Sequence, residues 1–112
     1  MAKIDWNEIS MNMIAYSGEA KSLAVFAIEK AENNQVLAAL QDIKDAEELL
    51  ISAEKLHLGV IVQEAQGIKL EFKILFMHAE DQMLSTQFFI LTAKKLINLH
   101  QKVGELTAKL AS

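Results

Sequence analysis

Four polar side chains, His78, Asp81, Gln82 and Ser85, recur at the i, i+3, i+4, i+7 spacing that puts residues on one helix face. A neutral histidine ring offers a nitrogen nucleophile, one able to attack phosphorus and carry a phosphoryl group. An aspartate one turn away offers oxygens to a hydrogen bond or to a hard cation. Gln82 and Ser85 supply the kind of donor that surrounds a bound phosphate. Two readings of the stripe stand side by side. Either His78 and Asp81 hydrogen-bond within a core, or they form a phosphoryl and cation site. Other chemistries find little support. There is no HExxH motif and no cysteine, and few further ligands for zinc. Ser85 lies about two turns from His78, too far along one helix for a serine–histidine pair.

The element that must position these residues runs from Lys69 to Val103 without proline or glycine. Projected at 100° per residue, Lys73, Glu80, Gln87, Lys94 and Asn98 gather on one side, which is expected to face solvent. The stripe gathers on the opposite side, with Ile74, Leu75, Phe89 and Leu96, and is expected to be buried. The rest of this helix is apolar too, through Met77, Leu84, Phe88 and Leu91 among others. A helix in a lone bundle needs one apolar stripe. This one should therefore also pack against another copy of the chain. Around a symmetry axis each Asp81 would face its own copies. Like carboxylates tolerate that only with a cation between them or with protons taken up. One aspartate cannot hold a metal alone, so a metal here implies symmetry, and oxygen-only ligation favours Mg²⁺ or Ca²⁺.

Composition agrees with a helical assembly. The chain has 112 residues, 52% of them hydrophobic, with no proline and four glycines. So much apolar surface in one small domain calls for an oligomer. The net charge of −4 and the lack of a basic patch argue against nucleic acid. No signal-peptide run and no stretch of 18 apolar residues occurs, so a cytoplasmic protein is expected.

Three helices are predicted, over about residues 5–32, 35–66 and 70 to 106 or 109. Asp5 caps the first, with Glu8 three residues on. Its core stripe is Ile9, Met13, Tyr16, Ala20, Leu23 and Ala27. Gly18 in mid-helix suggests a close helix approach or a bend, with a simple surface glycine as the equal alternative. Of Asn33 and Asn34, one ends the first helix in a left-handed conformation and the other caps the second. Val36, Leu40, Ile43, Leu50, His57 and Ile61 form the seam of the second helix, which places His57 at a core position. Gly67 ends that helix, with a turn of about three residues after it. His100 lies near the end of the third helix, where surface or dipole complement is the simplest role.

Two stretches resemble the lactose/cellobiose-type enzyme IIA component of the sugar phosphotransferase system. Gly18-Glu19-Ala20-Lys21-Ser22 is similar to that family's Gly-(Glu/Gln)-Ala-Arg-Ser motif. Phe76-Met77-His78-Ala79-Glu80-Asp81-Gln82-Met83-Leu84-Ser85-Thr86 is similar to its Leu-Val-His-Ala-Gln-Asp-His-Leu-Met-Thr signature. The resemblance implies an all-α, up-down-up antiparallel three-helix bundle, one IIA-type domain over residues 1–112, assembling as a homotrimer. It implies that His78 accepts a phosphoryl group from the phosphocarrier protein HPr and passes it to a IIB component for sugar phosphorylation. It implies that Asp81 binds Mg²⁺ at the trimer axis, one ion per trimer. The chain departs from the pattern at Gln82, in place of a second histidine, at Glu80 for glutamine and at Lys21 for arginine. His57 stands where the family often has glutamine. It joins the site if its end of the second helix faces it, and is a core histidine otherwise. The competing reading of function is a non-catalytic trimeric bundle that binds or regulates.

Overall fold

The computed structural model describes residues 3–112 and contains three helices: α1 (Trp6–Glu32), α2 (Val36–Ala65) and α3 (Ile74–Ala111). They pack as an up-down-up bundle, a rod of 65 × 21 × 20 Å. Among the described residues no strand occurs. Nor, among the described residues, is any helix long and apolar enough to cross a membrane.

Local chemistry sets the ends. The Asp5 carboxylate accepts from the Glu8 backbone N–H at 3.0 Å, as the sequence predicts. Both α1 and α2 close with the paired backbone bonds of a Schellman turn. After α1, Asn34 N–H donates to Ala31 and Gln35 N–H to Lys30; Asn34 carries the left-handed φ of 62°. After α2, Gly67 N–H donates to Glu64 and Ile68 N–H to Gln63, with Gly67 at φ 90°. Asn33 does not cap α2. It is the C-cap of α1, its Nδ2 donating to the Glu29 carbonyl, and Gln35 opens α2 with no side-chain cap.

The third helix begins later than expected. Residues 68–73 are non-helical and cross the end of the bundle, and Leu70 packs against the core. Burying Leu70 there competes with winding it into a first helical turn that no side chain caps. At the other end, α3 continues through Gly104 to Ala111.

The core is built from small side chains. Of the seventeen buried apolar residues among those described, nine are alanine. On α1 the buried line is Ser10, Met13, Ser17, Ala20, Ala24, Ala27 and Ala31. Tyr16, placed in the core by periodicity, is 36% exposed, and Leu40 and Ile61 of the expected α2 seam are exposed as well. Small faces let the helix axes approach closely, and the larger side chains are left outside.

That choice rotates α3. Its buried face is Phe76, Ala79, Met83, Thr86, Ile90, Ala93 and Ile97. His78, Asp81 and Ser85, expected in the interior, are exposed on this protomer, and Gln82 is half-buried. The presumed solvent face looks instead toward α2. There Glu80 meets His57 at 2.6 Å, Gln87 donates to Glu54 at 2.7 Å, and Lys94 pairs with Glu47 at 2.7 Å. Glu80, Gln87 and Lys94 are one heptad apart, so long polar side chains fill the α2–α3 seam while alanines close the contact with α1.

Candidate functional site

The outward face of α3 carries the predicted site residues. Asp81 lies in the middle of it, flanked at three- and four-residue steps by Met77, Leu84, Phe88 and Leu91, all exposed. Ile74 begins the same arc. Steps of three and four keep these residues in one stripe along a helix. His78, Gln82 and Ser85 sit on the edge of this arc nearer α1. Two contacts fix that edge. Lys21 Nζ donates to Ser85 Oγ at 3.0 Å, and Thr86 Oγ1 donates to the Ser17 carbonyl at 3.1 Å in the buried layer beneath. The helix-1 motif and the His78 segment thus lie side by side, joined through Lys21 and Ser85.

The opposite edge of α3 holds Glu80 and, facing it from α2, His57. The His57 ring is stacked on Phe76, with centroids 5.8 Å apart and planes 5° from parallel. Phe76 in turn meets Trp6 edge-on at 5.4 Å. Both His57 and Glu80 are about three-quarters buried. Within the protomer His57 is therefore not brought to His78. It is held on the other side of α3 by a carboxylate and an aromatic ring. Glu80, expected to be a solvent residue, is the anchor of that contact.

His78 stands on a flat surface. It is not among the residues that line the hollows of the protomer surface. One of about 220 Å³, lined by Trp6, Phe76, Met77 and Glu80, opens at the end of the bundle; the others lie along residues not neighbouring His78. A small substrate held for chemistry needs a concave site that removes it from water. The exposed ring offers none. It is accessible to a partner that brings its own walls.

Within one protomer, and among the described residues, no group of three histidine, cysteine or carboxylate side chains converges to hold a metal. Asp81 is a lone oxygen donor on an apolar face. Its donor type suits a hard cation once other copies add theirs.

Sequence reasoning from one helix at a time missed the Lys21–Ser85 and His57–Glu80 contacts. A signal existed for the second, because Glu80, Gln87 and Lys94 recur at seven-residue intervals opposite polar residues of α2.

Comparisons with known proteins converge on one group. Residues 8–101 match the family model described as the phosphotransferase system lactose/cellobiose-specific IIA subunit. The oligo-β-mannoside-specific IIA component of Bacillus subtilis is 30% identical over 92 residues, covering 82% of this chain and 84% of that protein. The crystal structure of a cellobiose-specific enzyme IIA from Bacillus anthracis superposes with a TM-score of 0.86 at 26% identity, covering 93% of this chain and 95% of that one. The chitobiose IIA of Escherichia coli, solved in complex with HPr, shares the fold with a TM-score of 0.73 at 24% identity, covering 91% and 99%.

Proposed function

The chain belongs to the lactose/cellobiose-specific IIA subunit family of the sugar phosphotransferase system, and on that premise we propose that His78 is its phosphoryl carrier. As a IIA component the protein is a phosphotransferase component serving sugar uptake. The observation that carries the assignment to His78 is its exposure on the surface of α3, outside the lining of the hollows described above. A carrier that trades its group between proteins needs that accessibility, and an enzyme that encloses a small substrate does not have it. A ring nitrogen of neutral His78 forms the N–P bond as the donor's bond to phosphorus breaks. The reverse displacement hands the group on. On this reading Gln82 donates to the phosphoryl oxygens, with Ser85, which accepts from Lys21, beside it on the same edge of α3.

The donor on this reading is HPr and the acceptor a IIB component, both cytoplasmic as the IIA protein is. Support for HPr comes from the E. coli chitobiose IIA, a relative in fold that was solved with it. The assembly is a homotrimer around α3. The exposed stripe of Met77, Leu84, Phe88 and Leu91 supports this, because water is a poor environment for it. Asp81, in the middle of that stripe, and its symmetry copies hold Mg²⁺, one per trimer. When bound, the ion supplies the positive charge that lets the carboxylates stay ionised together. A second reading, a non-catalytic bundle, draws on Gln82, which stands where the family pattern has histidine.

The test is incubation with enzyme I, HPr and phosphoenolpyruvate. Stoichiometric phosphate on wild type, and none on His78→Ala, is expected. His78 is exposed, so the variant keeps its fold and its circular dichroism. Absence of uptake by wild type, where another IIA is labelled alongside, would sink the carrier reading and leave the second one.

A further inference from the structure

Lys21 leaves its own helix to reach the face that carries His78 and Asp81. Its ammonium donates to Ser85 Oγ at 3.0 Å. The other lysines that bridge to a neighbour, Lys30, Lys73 and Lys94, each meet a carboxylate, at 2.7, 3.1 and 2.7 Å. Lys21 meets none among the described residues. Ser85 stands one turn beyond Asp81, at the i, i+4 spacing. With Lys21 donating to it, the Ser85 oxygen is an acceptor and its own hydrogen is free to turn toward Asp81. Asp81 has no cationic partner among the described residues either. The next lysine on this arc is Lys95, about 21 Å along the helix.

Around Asp81 lie Ile74, Met77, Leu84, Phe88 and Leu91, with Ser85 and Lys21 on the edge of this stripe nearer α1. Association of copies through this stripe removes Asp81 and Lys21 from water together, and each is costly to bury unpaired. Charge arithmetic separates two ways of meeting that cost. Three Asp81 carboxylates bring −3. One divalent ion leaves −1, whereas three Lys21 ammoniums bring the sum to zero.

We propose that Lys21 is a positioning residue, the chain's own counter-cation for the assembled Asp81 carboxylates, acting through Ser85 and lessening the dependence of assembly on a divalent ion. This rests on the trimeric reading above. The lysine ammonium is a compact charge on a flexible stem, able to hold Ser85 while its positive charge acts on the carboxylates.

Sedimentation equilibrium in Mg²⁺ and in EDTA tests it, on the full chain. Chelation should weaken wild-type association less than about tenfold, and Lys21→Met should deepen that chelation effect by about tenfold or more. Lys21→Arg should behave as wild type. Ser85→Ala should shift the effect in the same direction as Lys21→Met but less. Adding Asp81→Leu to Lys21→Met should abolish the chelation effect. If Lys21→Met weakens assembly equally in Mg²⁺ and EDTA, the residue only packs, and the inference is overturned. An unchanged chelation effect overturns it too, as does a wild-type trimer that dissociates wholly in EDTA. A wild-type chain that is monomeric at every concentration overturns the trimeric reading itself, a result distinct from all of these.

Discussion

The His57–Glu80 contact decides whether His57 belongs to the phosphoryl site or to the scaffold, and a double-mutant cycle can measure it. The perturbations are His57→Ala, Glu80→Ala and the pair. The His57 Nε2 to Glu80 carboxylate contact is 2.6 Å long, and the two side chains are 21% and 27% exposed. A hydrogen bond to a charged group at such a partly wet place is worth about 1–2 kcal/mol. The ring also stacks on Phe76, which adds about 0.5–1 kcal/mol that only His57→Ala removes. His57→Ala should therefore cost about 2 kcal/mol, Glu80→Ala about 1–2, and the coupling between them should be about 1 kcal/mol. Unfolding entropy near 2.1 cal/mol/K per residue makes each kcal/mol about 4 °C in Tm for a chain of this length, so His57→Ala should melt about 8 °C lower. The assay is thermal unfolding by circular dichroism at one fixed protein concentration, since assembly makes Tm depend on concentration. Phosphoryl uptake, measured below the melting range, should stay stoichiometric in all three variants. A coupling below about 0.3 kcal/mol would refute the energetic argument. Loss of uptake in a folded His57→Ala protein would refute the placement of His57 outside the site.

Two further outcomes follow from the geometry. Asp81→Leu should keep or strengthen the trimer and remove its response to Mg²⁺, because it replaces clashing carboxylates on an apolar face; sedimentation that shows dissociation would contradict this. Gly67→Ala should destabilise by about 1–2 kcal/mol, since φ is +90° there while an added Cβ meets nothing within 4 Å, so that backbone strain is the whole cost; chemical denaturation showing no change would contradict it.

The turns were legible because their residues have few alternatives. Asn34 and Gly67 both take left-handed backbone and both close a Schellman turn, and Asp5 caps as its type and its spacing to Glu8 suggest. The rotation of α3 was not legible. With apolar residues most of the way round, hydrophobicity favoured no face. The choice fell to Ala79 and Ala93, which fit against the small side chains of α1, and to Glu80, Gln87 and Lys94, which find partners on α2. Both are properties of helix pairs and cannot be read from one helix. His78 and Asp81 could be picked out by type and spacing, but not their outward orientation. Gly18 shows the same limit. It is exposed, and a Cβ there meets nothing within 4 Å, so of the roles open to it in the sequence the protomer shows the surface glycine and not the close approach.

His78 projects from the second turn of α3, on the helix itself and not on the non-helical segment that precedes Ile74. A displacement at phosphorus requires the incoming and leaving groups to lie in line on opposite sides of the phosphoryl group. A side chain fixed on a rigid rod offers one such line. On the proposed relay, donor and acceptor proteins must therefore occupy the same patch of surface in turn. No complex of all three proteins can form around one phosphoryl group, and the carrier must let go of one partner before it serves the next. Traffic through the site is then set by how quickly each partner dissociates, which favours weak, rapidly exchanging contacts over tight ones.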